Sequence, residues 1–186
     1  MAALHPWRNE QVLALLQAAL TDPAPAVQRE ALLGLGLAAQ QGEFTDLARL
    51  VPCLGEPALA PAAVEALGRA QAVDLLVAAL PTADGSLTRA IAQALARIGS
   101  PAALTALVSL LATAADPPYI AALLARHGQG DRLVALWQQR HPCLALPEVR
   151  RELALVAVDG ALLTALANDS DALVSLYARR RLPSIL

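Results

Sequence analysis

The sequence predicts an all-α protein, an α-solenoid made by stacking helix pairs. Three observations carry that expectation. Hydrophobic residues make up 56 % of the chain and aromatics only 3 %, so the apolar content is mostly Ala and Leu. Ala has no side chain to freeze and Leu keeps most of its rotamers in a helix, whereas the β-branched and aromatic residues that favour strands are scarce. Next, an apolar residue followed by a small one recurs at Leu35-Gly36, Leu67-Gly68, Leu95-Ala96, Leu124-Ala125 and Val156-Ala157, with spacings of 32, 28, 29 and 32. A period near 30 marks an array of helix pairs. Third, every copy opens on an acidic or proline-rich turn, where carboxylates accept free amides and Pro fits the first helical turn.

Taken in order, the second helices of the pairs lie in "DPAPAVQREALLGLG" (22–36), "EPALAPAAVEALGRA" (56–70), "ADGSLTRAIAQALARIG" (83–99), "ADPPYIAALLARHG" (115–128) and "LPEVRRELALVAVDG" (146–160). A degenerate sixth copy is "NDSDALVSLYARRR" (168–181). The first helices fill the intervals at about 9–20, 44–54, 72–80, 101–114, 131–140 and 161–167. Val27, Ala31 and Leu35 step by four along the first copy. In the third copy Leu87, Ile91, Ala94, Leu95 and Ile98 share a face and form predicted core. Leu104, Leu107, Val108 and Leu111 do the same in the next helix, with Thr105, Ser109 and Thr113 opposite. Trp137 follows Leu133 by four and is expected to pack inward, and Cys53 sits in the apolar run Leu50–Leu54 and is expected in the core. One such pair cannot bury its apolar face alone, so the pairs stack as a single domain over residues 1–186.

The turn Asp22-Pro23 followed by "AVQREALLGLG", and above all "GSLTRAIAQALARIGSPAALTALVSLL" (85–111), resembles the HEAT-like repeats of bacteria. These include the short repeats of phycobilin lyase-type (PBS lyase HEAT-like) proteins. The resemblance covers about residues 8–180. It implies a right-handed α-solenoid (α-α superhelix) of about six HEAT-like helix-pair repeats. It implies little about task, because this repeat serves scaffolds, adaptors, lyases and chaperones.

In such arrays the second helices usually line the concave side. There Arg89, Gln93 and Arg97 form a stripe, continued by Arg29, by Glu65 with Arg69, and by Arg150 or Arg151. One reading is an inner wall that binds acidic or polar groups of a protein partner. The other is a structural ladder in which these arginines pair with turn acids such as Asp22, Asp84 and Asp116. Tyr119 is the added partner-contact candidate. The resemblance also allows a lyase-like role, with stripe arginines on bilin propionates and Tyr119 stacked on the tetrapyrrole; the low aromatic count argues against such a cradle. Between Arg97 and Arg126 the only charge is Asp116, so residues 98–125 are either an apolar patch for self-association or a buried mid-array pair.

Several classes are disfavoured. Net charge is −2, which argues against a nucleic-acid binder. The balance shifts along the chain: residues 1–125 hold six Arg and ten acids, residues 126–186 eight Arg and six acids. All fourteen cations are Arg, so no Schiff-base or P-loop lysine exists. Gly34-x-Gly36 lies in a helical pattern with no strand before it, so no dinucleotide site is expected. His141-Pro142-Cys143 groups two possible ligands without a second cluster, so no metal, cofactor or catalytic residue is assigned. The turn "RHGQGDR" (126–132) could hold an anion, but a plain turn is the simpler reading. The longest uncharged stretch, Ile98–Ala115, is broken by Pro101 and dotted with Ser and Thr, so no membrane span is expected. The "ARRRLPSIL" ending reads as a helix end whose tail, Leu182–Leu186, caps the last repeat or docks elsewhere. With two distant cysteines and no signal-like start, the expectation is a cytoplasmic protein that binds another protein and is more scaffold than enzyme.

Overall fold

A computed structural model describes residues 10–113 and 115–182. His5, Trp7 and most of the C-terminal tail lie outside them. All regular structure among the described residues is helical, in the order α1 (Glu10–Ala19), α2 (Pro25–Gln40), a 3₁₀ segment (Leu47–Gly55), α3 (Ala60–Arg69), α4 (Val73–Ala79), α5 (Gly85–Ile98), α6 (Pro101–Thr113), α7 (Pro117–Arg126), α8 (Gly130–Gln138), α9 (Pro147–Val156), α10 (Gly160–Ala167) and α11 (Ala172–Arg181). Short 3₁₀ turns follow α4 (Leu80–Thr82) and precede α9 (Pro142–Ala145). These are the six expected pairs. The contacts divide the chain into two compact units, Met1–Ala103 and Leu104–Leu186.

The helix starts follow from their turns. Asp84 accepts the Leu87 amide at 2.7 Å and opens α5. Asp116 accepts the Tyr119 amide at 3.2 Å and opens α7. Asp171 accepts both the Leu173 and Val174 amides and opens α11. The ends are as regular. After α2, α3, α7 and α8 one residue turns left-handed and the next amide reaches back five residues: Glu43 to Ala38, Ala72 to Leu67, Gln129 to Leu124 and His141 to Leu136. Glycine fills the left-handed position at Gly42 and Gly128, but Gln71 (φ 55°) and Arg140 (φ 52°) fill it after α3 and α8.

One expected helix is altered. Residues 47–55 form a 3₁₀ segment, not an α-helix, because Pro52 has no N–H for the Ala48 carbonyl and its ring crowds that turn. Cys53 there is half-buried instead of core. Two smaller corrections concern register. Val27 is exposed, since the buried face of α2 begins at Ala31. In the fifth copy the buried apolar-small pair is Leu153-Ala154, while Val156 is half-buried.

Within the first unit α2 packs on α3 and α3 on α5; within the second, α7 packs on α9 and α9 on α11. The repeated leucines Leu35, Leu67, Leu95, Leu124 and Leu153 are all fully buried. Each contributes about 1.5–3 kcal/mol by leaving water. The small residue beside the first two sets how close the helices come. A Cβ added at Gly36 would lie 2.5 Å from the Cα of Ala66 and 2.8 Å from its Cβ, so α2 and α3 touch backbone to backbone. At Gly68 an added Cβ would rest on the Ala94 Cβ at 3.4 Å, an ordinary contact.

Gly36→Ala and Gly68→Ala should therefore diverge. The first forces two backbones apart and lowers stability by about 1–3 kcal/mol. The second is neutral or gains up to about 1 kcal/mol from helix propensity. Urea denaturation midpoints of the two variants check this.

Candidate functional site

In the first unit three consecutively packed helices carry the polar stripe. Arg89, Gln93 and Arg97 are exposed at four-residue steps on α5, while Ile91, Ala94 and Leu95 between them are buried. Arg29 is exposed on α2. Glu65 and Arg69 are half-buried on α3. Glu65 joins the helices: its Oε2 accepts from Arg97 Nη2 at 2.7 Å, and its Oε1 from Arg69 Nε at 3.1 Å. The hydrogen bond from Arg97, followed by that from Arg69, holds the Glu65 carboxyl below its usual range. The stripe thus holds a cross-repeat ion triad, with Arg29, Arg89 and Gln93 around it on the same three helices.

The remaining candidates belong to the second unit. Tyr119 is half-buried in the first turn of α7. Arg150, on α9, is no part of an open surface: its side chain is 15 % exposed and meets Asp169, 10 % exposed, through Nε at 2.7 Å and Nη2 at 3.0 Å. Its Nη1 donates to the Leu144 and Ala145 carbonyls at 2.7 and 3.0 Å. Its neighbour Arg151 clasps Asp171 with two more bonds, at 3.2 and 2.9 Å. A ladder of arginines therefore exists, with rungs at Glu65, Asp169 and Asp171. Asp22, Asp84 and Asp116 turn back on nearby backbone amides, at Ala24, Leu87 and Tyr119. Glu65, Asp169 and Asp171 each pair with an arginine of another helix. The signal for the latter two was present: two adjacent arginines stand 19 and 20 residues before two acids of one turn.

Residues 98–125 expose no large apolar side chain among the described residues; those that are exposed, such as Leu15, Val158 and Leu173, lie in the first pair and the last two. Two grooves stand out among the described residues. In the first unit an apolar one of about 390 Å³ runs between the 3₁₀ segment, α3, α4 and α5, past Val51, Leu54, Leu75 and Leu87. In the second unit one of about 560 Å³ is lined by Trp137, Arg140, His141, Pro142, Leu144 and Ala145. Trp137, expected inside, is half-buried on the wall of this groove, because the chain turns left-handed at Arg140 just beyond it. The structure brings His141 and Cys143 together, with Nδ1 3.0 Å from Sγ. Burial pushes the Cys143 thiol up, so it stays protonated and is no ready nucleophile. Among the described residues no three His, Cys, Asp or Glu side chains cluster to hold a metal, and no helix is long and apolar enough to cross a membrane.

Burial separates the two kinds of arginine. Arg150→Ala leaves Asp169 unpaired and two carbonyls unfilled, and should cost about 3 kcal/mol. Arg97→Ala, at an exposed pair, should cost under about 1 kcal/mol. Chemical denaturation measures both. Acid should attack the same rungs. Arg150 lowers the pKa of Asp169, and Arg151, then the Val174 amide, holds Asp171 at about 2. A depressed folded-state pKa means that this stabilisation is complete above the usual carboxylate value of about 4 and is lost as pH falls toward about 2. Asp171→Asn should flatten that part of the stability–pH curve, followed by urea titrations between about pH 6 and 2.

Comparison with known proteins fits this plan. Residues 47–125 match the family model for HEAT repeats, from the 3₁₀ segment to the end of α7. Among solved structures, the crystal structure of an engineered protein from the Northeast Structural Genomics Consortium aligns with 95 % of this chain and 96 % of that one, at 22 % identity and a TM-score of 0.46. No curated protein matches the chain. The chain is all-helical, of the α-solenoid class, and carries HEAT-like repeats over residues 47–125.

Proposed function

We propose that the chain is a protein-binding scaffold or adaptor whose six helix pairs form one array that holds a partner on its concave face. HEAT repeats in general mediate protein interaction, and the reading adds a place for it. The observation that carries it is the exposed four-residue step Arg89, Gln93, Arg97 on α5, flanked on the packed neighbours by Arg29 and by the Glu65–Arg69 pair. Arg97 is half-neutralised by Glu65, which fixes its guanidinium in place. Arg29 and Arg89 supply the positive charge for acidic or polar groups on the partner. Arg150, held by Asp169, supports the turn before α9. Cytoplasmic residence belongs to the same reading; Cys53 and Cys143 are both free thiols. No observation favours the bilin alternative.

Arg29→Glu with Arg89→Glu tests it. Both side chains are exposed, so the variant should keep the wild-type far-UV CD spectrum. Affinity capture from cells should retain a set of proteins with the wild type and lose them with the variant. Identical sets on both would overturn the assignment of this face.

A further inference from the structure

The groove at the turn between α8 and α9 has an unusual polar lining, because each polar side-chain group on it donates hydrogen bonds. Trp137 offers its indole N–H and Arg140 its guanidinium, and neither is hydrogen-bonded to another described residue. His141 Nδ1 accepts the Cys143 amide at 3.3 Å and lies 3.0 Å from the Cys143 Sγ. With Nδ1 acting as acceptor, the ring proton of neutral His141 sits on Nε2, so the imidazole is a donor whether neutral or charged. Two carbonyls of the wall, those of Leu144 and Ala145, are engaged by Arg150 Nη1. No acidic side chain lines the groove. Side-chain donors with no acidic side chain among them suit a ligand that brings acceptors, and an anion above all.

The backbone points the same way. Arg140 stands at φ 52°, where Gly42 and Gly128 serve at equivalent helix ends. A non-glycine residue is strained there, and the strained position puts a cation on the same groove wall as Trp137. The apolar part of the lining, Trp137 with Pro142 and Leu144, asks for an apolar group next to the anion. A small molecule site encloses most of its ligand. Here Arg140 and Pro142 are exposed and Trp137 and His141 half-buried, so the groove is a shallow channel suited to a chain that passes through.

We propose that this groove binds an extended acidic peptide segment. A carboxylate side chain is held by Arg140 and His141, and the apolar residue beside it lies against Trp137, Pro142 and Leu144. The proposal does not rest on the stripe of the first unit.

Tryptophan emission tests it, since Trp7 and Trp137 are the two tryptophans of the chain. In the full chain carrying Trp7→Phe, titrating the blocked peptide acetyl-Ala-Glu-Leu-Glu-Ala-amide should change Trp137 emission saturably. The glutamine analogue of that peptide should bind at least about tenfold more weakly. Arg140→Gly should weaken binding by a similar factor while holding or raising the melting temperature, because it removes the guanidinium and supplies the residue that favours positive φ. Arg29→Glu with Arg89→Glu should leave the titration unchanged. No saturable change, equal binding of the glutamine peptide, or full binding by the Arg140→Gly variant would overturn the proposal. So would phenylacetate, titrated alone, saturating the groove at lower concentration than the peptide.

Discussion

The first unit depends on one close approach, that of α2 to α3 at Gly36 and Ala66. Two helices whose backbones meet leave no room for error in spacing, and the leucines beside them, Leu35 and Leu67, are placed by that contact at full burial. The next step, Gly68 against the Ala94 methyl, is slightly wider, and α5 settles on α3 at an ordinary van der Waals distance. Everything on the outer side of these helices inherits its position from those contacts. Glu65, already beside Arg69 on α3, can also reach Arg97 because α3 and α5 are held this near.

Arginine serves two ends in this chain, and burial decides which. On α5 the guanidiniums stand in water, where a carboxylate neighbour orients them and adds little stability. On α9 Arg150 fills four hydrogen bonds in a nearly closed space, two of them to a carboxylate and two to carbonyls that no helix satisfies. The planar fork of five donors makes that double duty possible, and a lysine could not reproduce it. Arg151 extends the arrangement by gripping the residue that also caps α11, so one carboxylate fixes both a helix start and its neighbour.

The architecture was legible in the sequence because its causes are local. A leucine beside a small residue every thirty or so positions, an acid or proline before each second helix, and glycine after many of them are single-residue signals, and they located six pairs with ends accurate to a few residues. The 3₁₀ character of residues 47–55 was also written there, in Pro52, but the apolar spacing spoke louder. The ion-pair rungs were less legible. Asp84 could serve as a cap or as a partner, and the Leu87 amide, being nearest, takes its Oδ1. The groove by Trp137 was hidden, because the helical spacing from Leu133 says nothing about where the chain turns two residues after the helix ends. That turn needs a positive φ at an arginine, which no composition rule foresees.

The packing pattern carries a consequence for folding speed. Each helix is held by elements close to it along the chain, and the packed second helices within a unit are about one repeat apart. Low contact order of this kind spares the chain the entropy of closing long loops, and helical proteins built so fold in microseconds to milliseconds. Nearest-neighbour coupling also lets a unit peel from its outer helix inward. Amide exchange would then be graded along each unit, fastest at an unsupported edge and slowest where a helix is sandwiched, as α3 is between α2 and α5.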